Sequence, residues 1–192
     1  EKISKAGTQP IIGTQINFKF NETIGLLPLF ALNEIGYKRI IELSSYSFLK
    51  DNELFDPHVS FEELYKKNEG VALFSGTVFG LFGKLFDKGK FSEIDEMYNK
   101  LKLVFNDRFY LDIQRHNDLN EISFEKFNLN KSSDFKIPLI ATNEIFYINK
   151  DIHEAHDALM CIKNKTYINE KNRIRLSDQH YLKNNIEMTK LF

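Results

Sequence analysis

Along this chain, short apolar runs suited to strands alternate with longer segments whose apolar residues recur at helical spacing. Pro10-Ile11-Ile12-Gly13 leads into Ile16, Phe18 and Phe20, an every-second-residue pattern that predicts a strand. A second apolar run covers 26–32. A helix is predicted over 34–50, with Asn33 in capping position and Gly36 weakening its first turn. Ser60 and Glu63 have the capping-box spacing, opening a short helix that ends near Gly70, and 71–75 reads as a buried strand. From Ser92, residues Ile94, Met97, Leu101 and Val104 fall on one helical face. Phe109, Leu111 and Ile113 then alternate as a strand, with Tyr110, Asp112 and Gln114 on its other face. A weaker helix over 121–130, a strand over 138–142 and a helix over 151–163 follow. This order predicts an α/β fold with largely parallel strands, and both a barrel and an open sheet satisfy it.

Charge and composition narrow the function classes. The 192 residues are enough for one domain with a sizeable core. Lys and Arg total 26 against 27 acidic residues, so the basic excess usual for a nucleic-acid binder is missing. Cys161 is the only cysteine, which excludes an internal disulfide and a multi-cysteine zinc site and suits a reducing compartment. The longest apolar stretch, 24–32, is broken by Pro28 and far short of the roughly 20 residues of a membrane span. The opening residues carry no secretory pattern, so a soluble, cytoplasmic chain without membrane contact is expected.

Few residues stand out as chemistry. His153 and His156 share a face of the 151–163 helix beside Asp157, and a packed, hydrogen-bonded cluster is favoured there over a metal site because no further ligands lie nearby. His116, in Gln114-Arg115-His116, ends a strand, the place where α/β folds gather ligand-binding residues. Ser75-Gly76-Thr77-Val78-Phe79-Gly80 joins a strand to a helix. It lacks the endings of a P-loop or a dinucleotide fingerprint, so a tight turn is the better reading. The 18 Phe and 8 Tyr fall mostly at core spacing without interleaved basic residues, and Cys161 reads as a small buried hydrophobe.

Several ordered motifs carry a family resemblance. Asp107-Arg-Phe-Tyr-Leu-Asp-Ile-Gln-Arg-His116, Ile137-Pro-Leu-Ile-Ala-Thr-Asn-Glu-Ile-Phe-Tyr147, Ala155-His-Asp-Ala-Leu-Met-Cys-Ile162 and Glu187-Met-Thr-Lys-Leu-Phe192 occur in family order and at family separations. Pro10-Ile-Ile-Gly13, Asn33-Glu-Ile-Gly-Tyr37 and Glu69-Gly-Val-Ala-Leu-Phe-Ser-Gly76 extend the match upstream. Over essentially its whole length the chain resembles the N-terminal polymerase-and-histidinol-phosphatase (PHP) domain of bacterial replicative DNA polymerase alpha subunits. The resemblance implies a distorted seven-stranded β/α barrel, here incomplete at its N-terminus, over 1–165. Residues 166–192 would form a junction toward a polymerase palm, with Arg173 and Arg175 facing DNA or the palm. It further implies that this is an internal piece of a longer DNA-directed DNA polymerase. The nucleotidyl transfer and Mg²⁺ of that protein would belong to the palm, as would most of its contact with DNA.

Active members of the family hold metal ions through histidines and carboxylates at strand ends. Gln15 stands where they have glutamate, Thr77 where cysteine is usual, Glu144 in place of aspartate and Phe146 in place of histidine; His116 alone is kept. The expectation is therefore a vestigial site with no metal and no activity of its own. The domain would serve as a scaffold for the rest of the polymerase chain, a proofreading exonuclease subunit and other replicase subunits. The competing expectation is a metal-dependent phosphoesterase or 3′–5′ exonuclease that works through altered ligands.

Overall fold

The structure, a computed structural model, describes residues 2–49 and 56–192. After a one-turn helix α1 (Lys2–Lys5), strands β1 (Gly13–Phe20) and β2 (Thr23–Ala31) form a hairpin in register from Phe20↔Thr23 to Gly13↔Phe30. Only Asn21 and Glu22 separate them, which permits an antiparallel return and no crossover. Asn21 sits at φ 52, a left-handed conformation that asparagine tolerates in tight turns. Ile16 and Phe18, the alternate residues of the first predicted strand, are both buried.

The chain continues through α2 (Glu34–Leu49), β3 (Val59–Ser60), α3 (Phe61–Lys66), β4 (Val71–Phe74), α4 (Leu81–Asp87), α5 (Phe91–Phe105), β5 (Phe109–Ile113), α6 (Glu121–Phe135), β6 (Leu139–Ala141), α7 (His153–Asn164) and α8 (Asn185–Leu191). The predicted end of the second helix at Lys50 lies outside the described residues. Asn33 caps α2, its Oδ1 accepting the Gly36 N–H at 2.9 Å. Gly36 has a packing purpose there: a Cβ at that position would stand 1.8 Å from the Gly70 carbonyl oxygen. The residue that weakens the helix is what lets α2 lie against the turn before β4. At α3, the Ser60 hydroxyl accepts the Glu63 N–H as its spacing predicts.

The strands form one sheet in the order β3-β1-β2-β4-β5-β6. The pairs β1/β3, β4/β5 and β5/β6 are parallel, while β1/β2 and β2/β4 are antiparallel. The architecture is thus mixed α/β with a parallel-rich sheet. The seven-stranded barrel that the resemblance implies is not what the described residues form. Their sheet has six strands and stays open, because β3 bonds only β1 and β6 bonds only β5, leaving two short edges. Pro28 marks a limit inside the sheet. The β2/β4 ladder runs over Leu29–Ala31 and stops one residue short of Pro28, which has no N–H to give.

The core fills one face of the sheet. Leu27, Leu29, Leu73, Phe109 and Leu111 point toward α2, α4 and α5, which contribute Leu43, Phe82, Tyr98, Leu101 and Phe105, all fully buried. The opposite face carries Phe30, Phe74 and Tyr110, with successive ring centroids 4.6 and 5.5 Å apart along a groove of about 580 Å³. A buried polar link ties helices to sheet. The Tyr98 hydroxyl donates to Asn128 Oδ1 at 3.0 Å, and Asn128 Nδ2 donates to the Asp112 carbonyl at 3.3 Å.

Candidate functional site

Because β4, β5 and β6 run parallel, the loops that follow them leave from the same edge of the sheet, where α/β folds place their sites. After β4, Gly76 adopts φ 78, and a Cβ there would lie 3.2 Å from the Pro28 ring. The Thr77 hydroxyl accepts the Phe79 N–H and the Thr77 carbonyl accepts the Gly80 N–H, each at 3.0 Å. These amides are spent inside the turn, so the segment is the tight turn its sequence suggests.

Gln15, Thr77, Glu144 and Phe146 come together around one pocket of about 150 Å³, although 129 residues separate the first of these from Glu144. Across it, Gln15 Nε2 donates to Glu144 Oε1 at 3.4 Å. The Phe146 ring packs against His156 and His180, with centroids 5.5 and 5.3 Å away. His116 does not line this pocket but stands behind Glu144, its Nε2 3.1 Å from the Glu144 amide nitrogen and 3.0 Å from Asn143 Oδ1.

Beside the pocket, on the sheet face opposite the core, lies a buried carboxyl the sequence reading assigned only to a strand face. Asp112 is 3% exposed. Thr142 Oγ1 donates to its Oδ1 at 2.7 Å and Gln114 Nε2 approaches its Oδ2 at 3.3 Å. Burial pushes the Asp112 carboxyl up to about 7. The two hydrogen bonds oppose that rise and the negative charge of Glu144 adds to it.

The residues after α7 fold back over the ends of β5 and β6. The Ser177 hydroxyl donates to the His116 carbonyl, and the Phe146 N–H donates to the His180 carbonyl at 3.0 Å. The His180 and His116 rings stack with centroids 4.0 Å apart and planes 4° from parallel. His180 Nδ1 lies 3.1 Å from the Glu144 carbonyl and its Nε2 3.2 Å from Asp118 Oδ2. His116 Nδ1 lies 3.3 Å from Glu121 Oε1, and the same carboxylate accepts the N–H groups of His116 and Asn117. Lys183 reaches in to donate to Asn143 Oδ1 at 3.0 Å, and burial holds its amine below the usual lysine range. Asp118, His180 and Lys183 carry no periodic signal. Only the chain reversal after α7 delivers two of them to the strand ends.

The remaining flagged residues are structural. His153 Nε2 meets the Leu176 carbonyl at 2.9 Å, and His156 packs on Phe146 and Tyr147, which is the packing cluster expected. Arg173 forms a bidentate pair with the buried Asp157, and Arg175 meets Glu154 at 2.6 Å. Both arginines therefore face α7. The Arg173 guanidinium, hydrogen-bonded to Asp157, holds that carboxyl below the ordinary aspartate range. Cys161 is buried, as expected.

Comparison with known proteins puts a family to this arrangement. The PHP domain model matches residues 1–116, more than half of the chain. The chain belongs to the PHP domain family. Among curated proteins, this PHP domain is 34% identical to the DNA polymerase III subunit alpha of Caulobacter vibrioides over 200 residues, covering 97% of the chain and 17% of that protein. It is 33% identical to the Rickettsia prowazekii subunit alpha over 189 residues (98% of the chain, 16% of that protein). With the subunit alpha of Borreliella burgdorferi it shares 29% over 204 residues (100% and 18%). The chain thus spans about a sixth of the length of these relatives. Among the described residues, no helix is long and apolar enough to cross a membrane.

Proposed function

We propose that this PHP domain works in DNA replication as a structural and protein-docking part of a DNA polymerase III alpha chain, with a degraded metal site and no hydrolytic activity of its own. One observation carries the reading. The pocket lined by Gln15, Thr77, Glu144 and Phe146 offers an amide, an alcohol and a phenyl ring around a single carboxylate. A neutral amide and a hydroxyl are weak partners for hard divalent cations, and a phenyl ring offers no lone pair. Gln15 also satisfies Glu144 with an N–H, where two carboxylates facing each other would call for a cation. The residues present do not fit the multi-ion cluster of active family members, and no step is routed through one.

On this reading the sheet closes toward a barrel within the larger polymerase. Mg²⁺-dependent nucleotidyl transfer and most contact with DNA lie in other parts of that chain, in the cytoplasm. The partner is a separate proofreading exonuclease subunit together with other replicase subunits. The test is titration of the intact natural chain with the purified exonuclease subunit of the same organism, followed by calorimetry. Saturable binding at one-to-one stoichiometry is expected. Absence of binding, with the chain folded, would remove the docking role.

A further inference from the structure

The helix α7 has two unlike sides. Asp157 and Cys161, four residues apart, are buried, and Arg173 pairs with Asp157 on that side. The opposite side carries Ile152, Ala155, Leu159 and Ile162, spaced by three, four and three. Ile152 stands at the N-cap in a helical conformation, so it belongs to the same stripe. All four are exposed, Leu159 to 63% and Ile162 to 74%, and among the described residues nothing covers them. A contiguous apolar stripe left in water marks a place where another surface packs. Its flanks are charged in order along the chain. Asp151 and Glu154 lie at the start of α7, Lys163 and Lys165 at its end, and all four are exposed. Glu154 meets Arg175 and His153, while Asp151, Lys163 and Lys165 have no ion pair among the described residues.

We infer that this face is a self-association surface, on which two copies of the chain pair antiparallel through α7. The stripe reads the same from either end about position 157, with an isoleucine at each outer position and Ala155 and Leu159 at the inner ones. A second copy laid antiparallel about a twofold axis there sets Ile152 against the second copy's Ile162. It also sets Ala155 against the second copy's Leu159, small against large, as side chains seating between helices require. A closed twofold pair needs self-complementarity of this kind. The charges select the same partner and direction. Antiparallel pairing lays the acidic start of each helix beside the basic end of the other, twice over, whereas parallel pairing would set like ends together. The seam from Ile152 to Ile162 is about 16 Å long and offers far fewer than the roughly 20–30 residues a side of a standard interface. The pair is therefore weak, with a Kd on the order of 10–100 μM. It uses no residue of the pocket around Gln15 and Glu144 and needs no other subunit, so it stands or falls independently of the docking role.

The test is sedimentation velocity of the intact natural chain from about 1 to about 200 μM, with circular dichroism to confirm that each variant is folded. Wild type is expected to pass from monomer to dimer as concentration rises. Leu159→Glu puts a charge in the middle of the seam and should weaken the dimer by at least about tenfold. Asp151→Lys reverses the acidic end, and Lys163→Glu with Lys165→Glu reverses the basic end. Each set alone should weaken the dimer roughly tenfold. An equimolar mixture of the two should recover it, because every reversed end then meets its opposite. Monomeric wild type over the whole range, self-association unchanged by Leu159→Glu, or charge variants that fail to complement each other would each overturn the pairing. Should Leu159→Glu fail to fold, the mixture of charge variants decides.

Discussion

Gln15 Nε2 donates to Glu144 Oε1 at 3.4 Å, joining β1 to the loop after β6 across a pocket. That bond sets an amide N–H against a carboxylate oxygen, a contact between one neutral and one acidic side chain. It spans a pocket of about 150 Å³, with the Glu144 carboxyl oxygen as acceptor. The same edge of the sheet still concentrates polar chemistry in Asp112, His116 and His180, each held by partners from distant parts of the chain.

Asp112 makes stability fall as pH rises from acid toward neutral. Its carboxyl is pushed up to about 7 by burial, above the unfolded value of about 3.9, so the folded state binds the extra proton between those two values. Stability should therefore fall as pH rises from about 4 through about 7. Asp112→Asn should flatten that limb and stabilise the protein by roughly 2 kcal/mol or more at pH 8 relative to its effect at pH 5. Urea denaturation across that pH range checks it. An unchanged slope in the variant would remove Asp112 as the cause.

The Arg173–Asp157 pair behaves in the opposite sense. Asp157 is held below its unfolded pKa, so its contribution is complete above about pH 4 and is lost as pH falls through the lower folded value. Both side chains are enclosed, at 8% and 4% exposure, and Arg173→Ala leaves a buried carboxylate with Arg175 3.5 Å away as its nearest remaining ion-pair partner among the described residues. A loss of about 3 kcal/mol at pH 7 is expected, shrinking toward acid pH. Chemical denaturation at pH 7 and pH 3 measures both parts, and a loss equal at the two pH values would contradict the pairing.

Gly36→Ala tests the contact between α2 and the turn before β4. Alanine should gain up to about 1 kcal/mol of helix propensity on an exposed helix. Here its Cβ meets the Gly70 carbonyl, so a net loss of about 2–4 kcal/mol is expected. A thermal melt decides the sign. An increase in Tm would show that α2 shifts freely to make room.

What could be read from the sequence follows from which signals are local. Ile16 and Phe18 alternate into a core strand, and Ile94, Met97 and Leu101 fall on one buried helical face, because burial imposes its period on neighbouring residues. Strand direction was not so readable: the apolar run that became β2 is the same whether it returns antiparallel or crosses over, and the two-residue turn at Asn21 decides it. The helix α8 has no apolar run, yet Asn184 and Glu187 form a complete capping box that marks its start. His116 was found from its place at a strand end. His180 and Asp118 were not, since stacking and ring hydrogen bonds join residues up to 64 positions apart without periodicity. Asp112 looked like the outer face of a strand, and the loop residues Thr142 and Gln114 bury it.

The most direct test of the central claim is a hydrolysis assay of the intact natural chain on a 3′-tailed DNA duplex and on a simple phosphomonoester. It would be run with Mn²⁺, Mg²⁺ or Zn²⁺, side by side with Glu144→Gln. The degraded pocket predicts no metal-dependent release of nucleotides or phosphate above background in either protein. Hydrolysis in wild type that disappears in Glu144→Gln would mean that the pocket around Gln15 and Phe146 still holds working metal ions, and the scaffold account would be wrong.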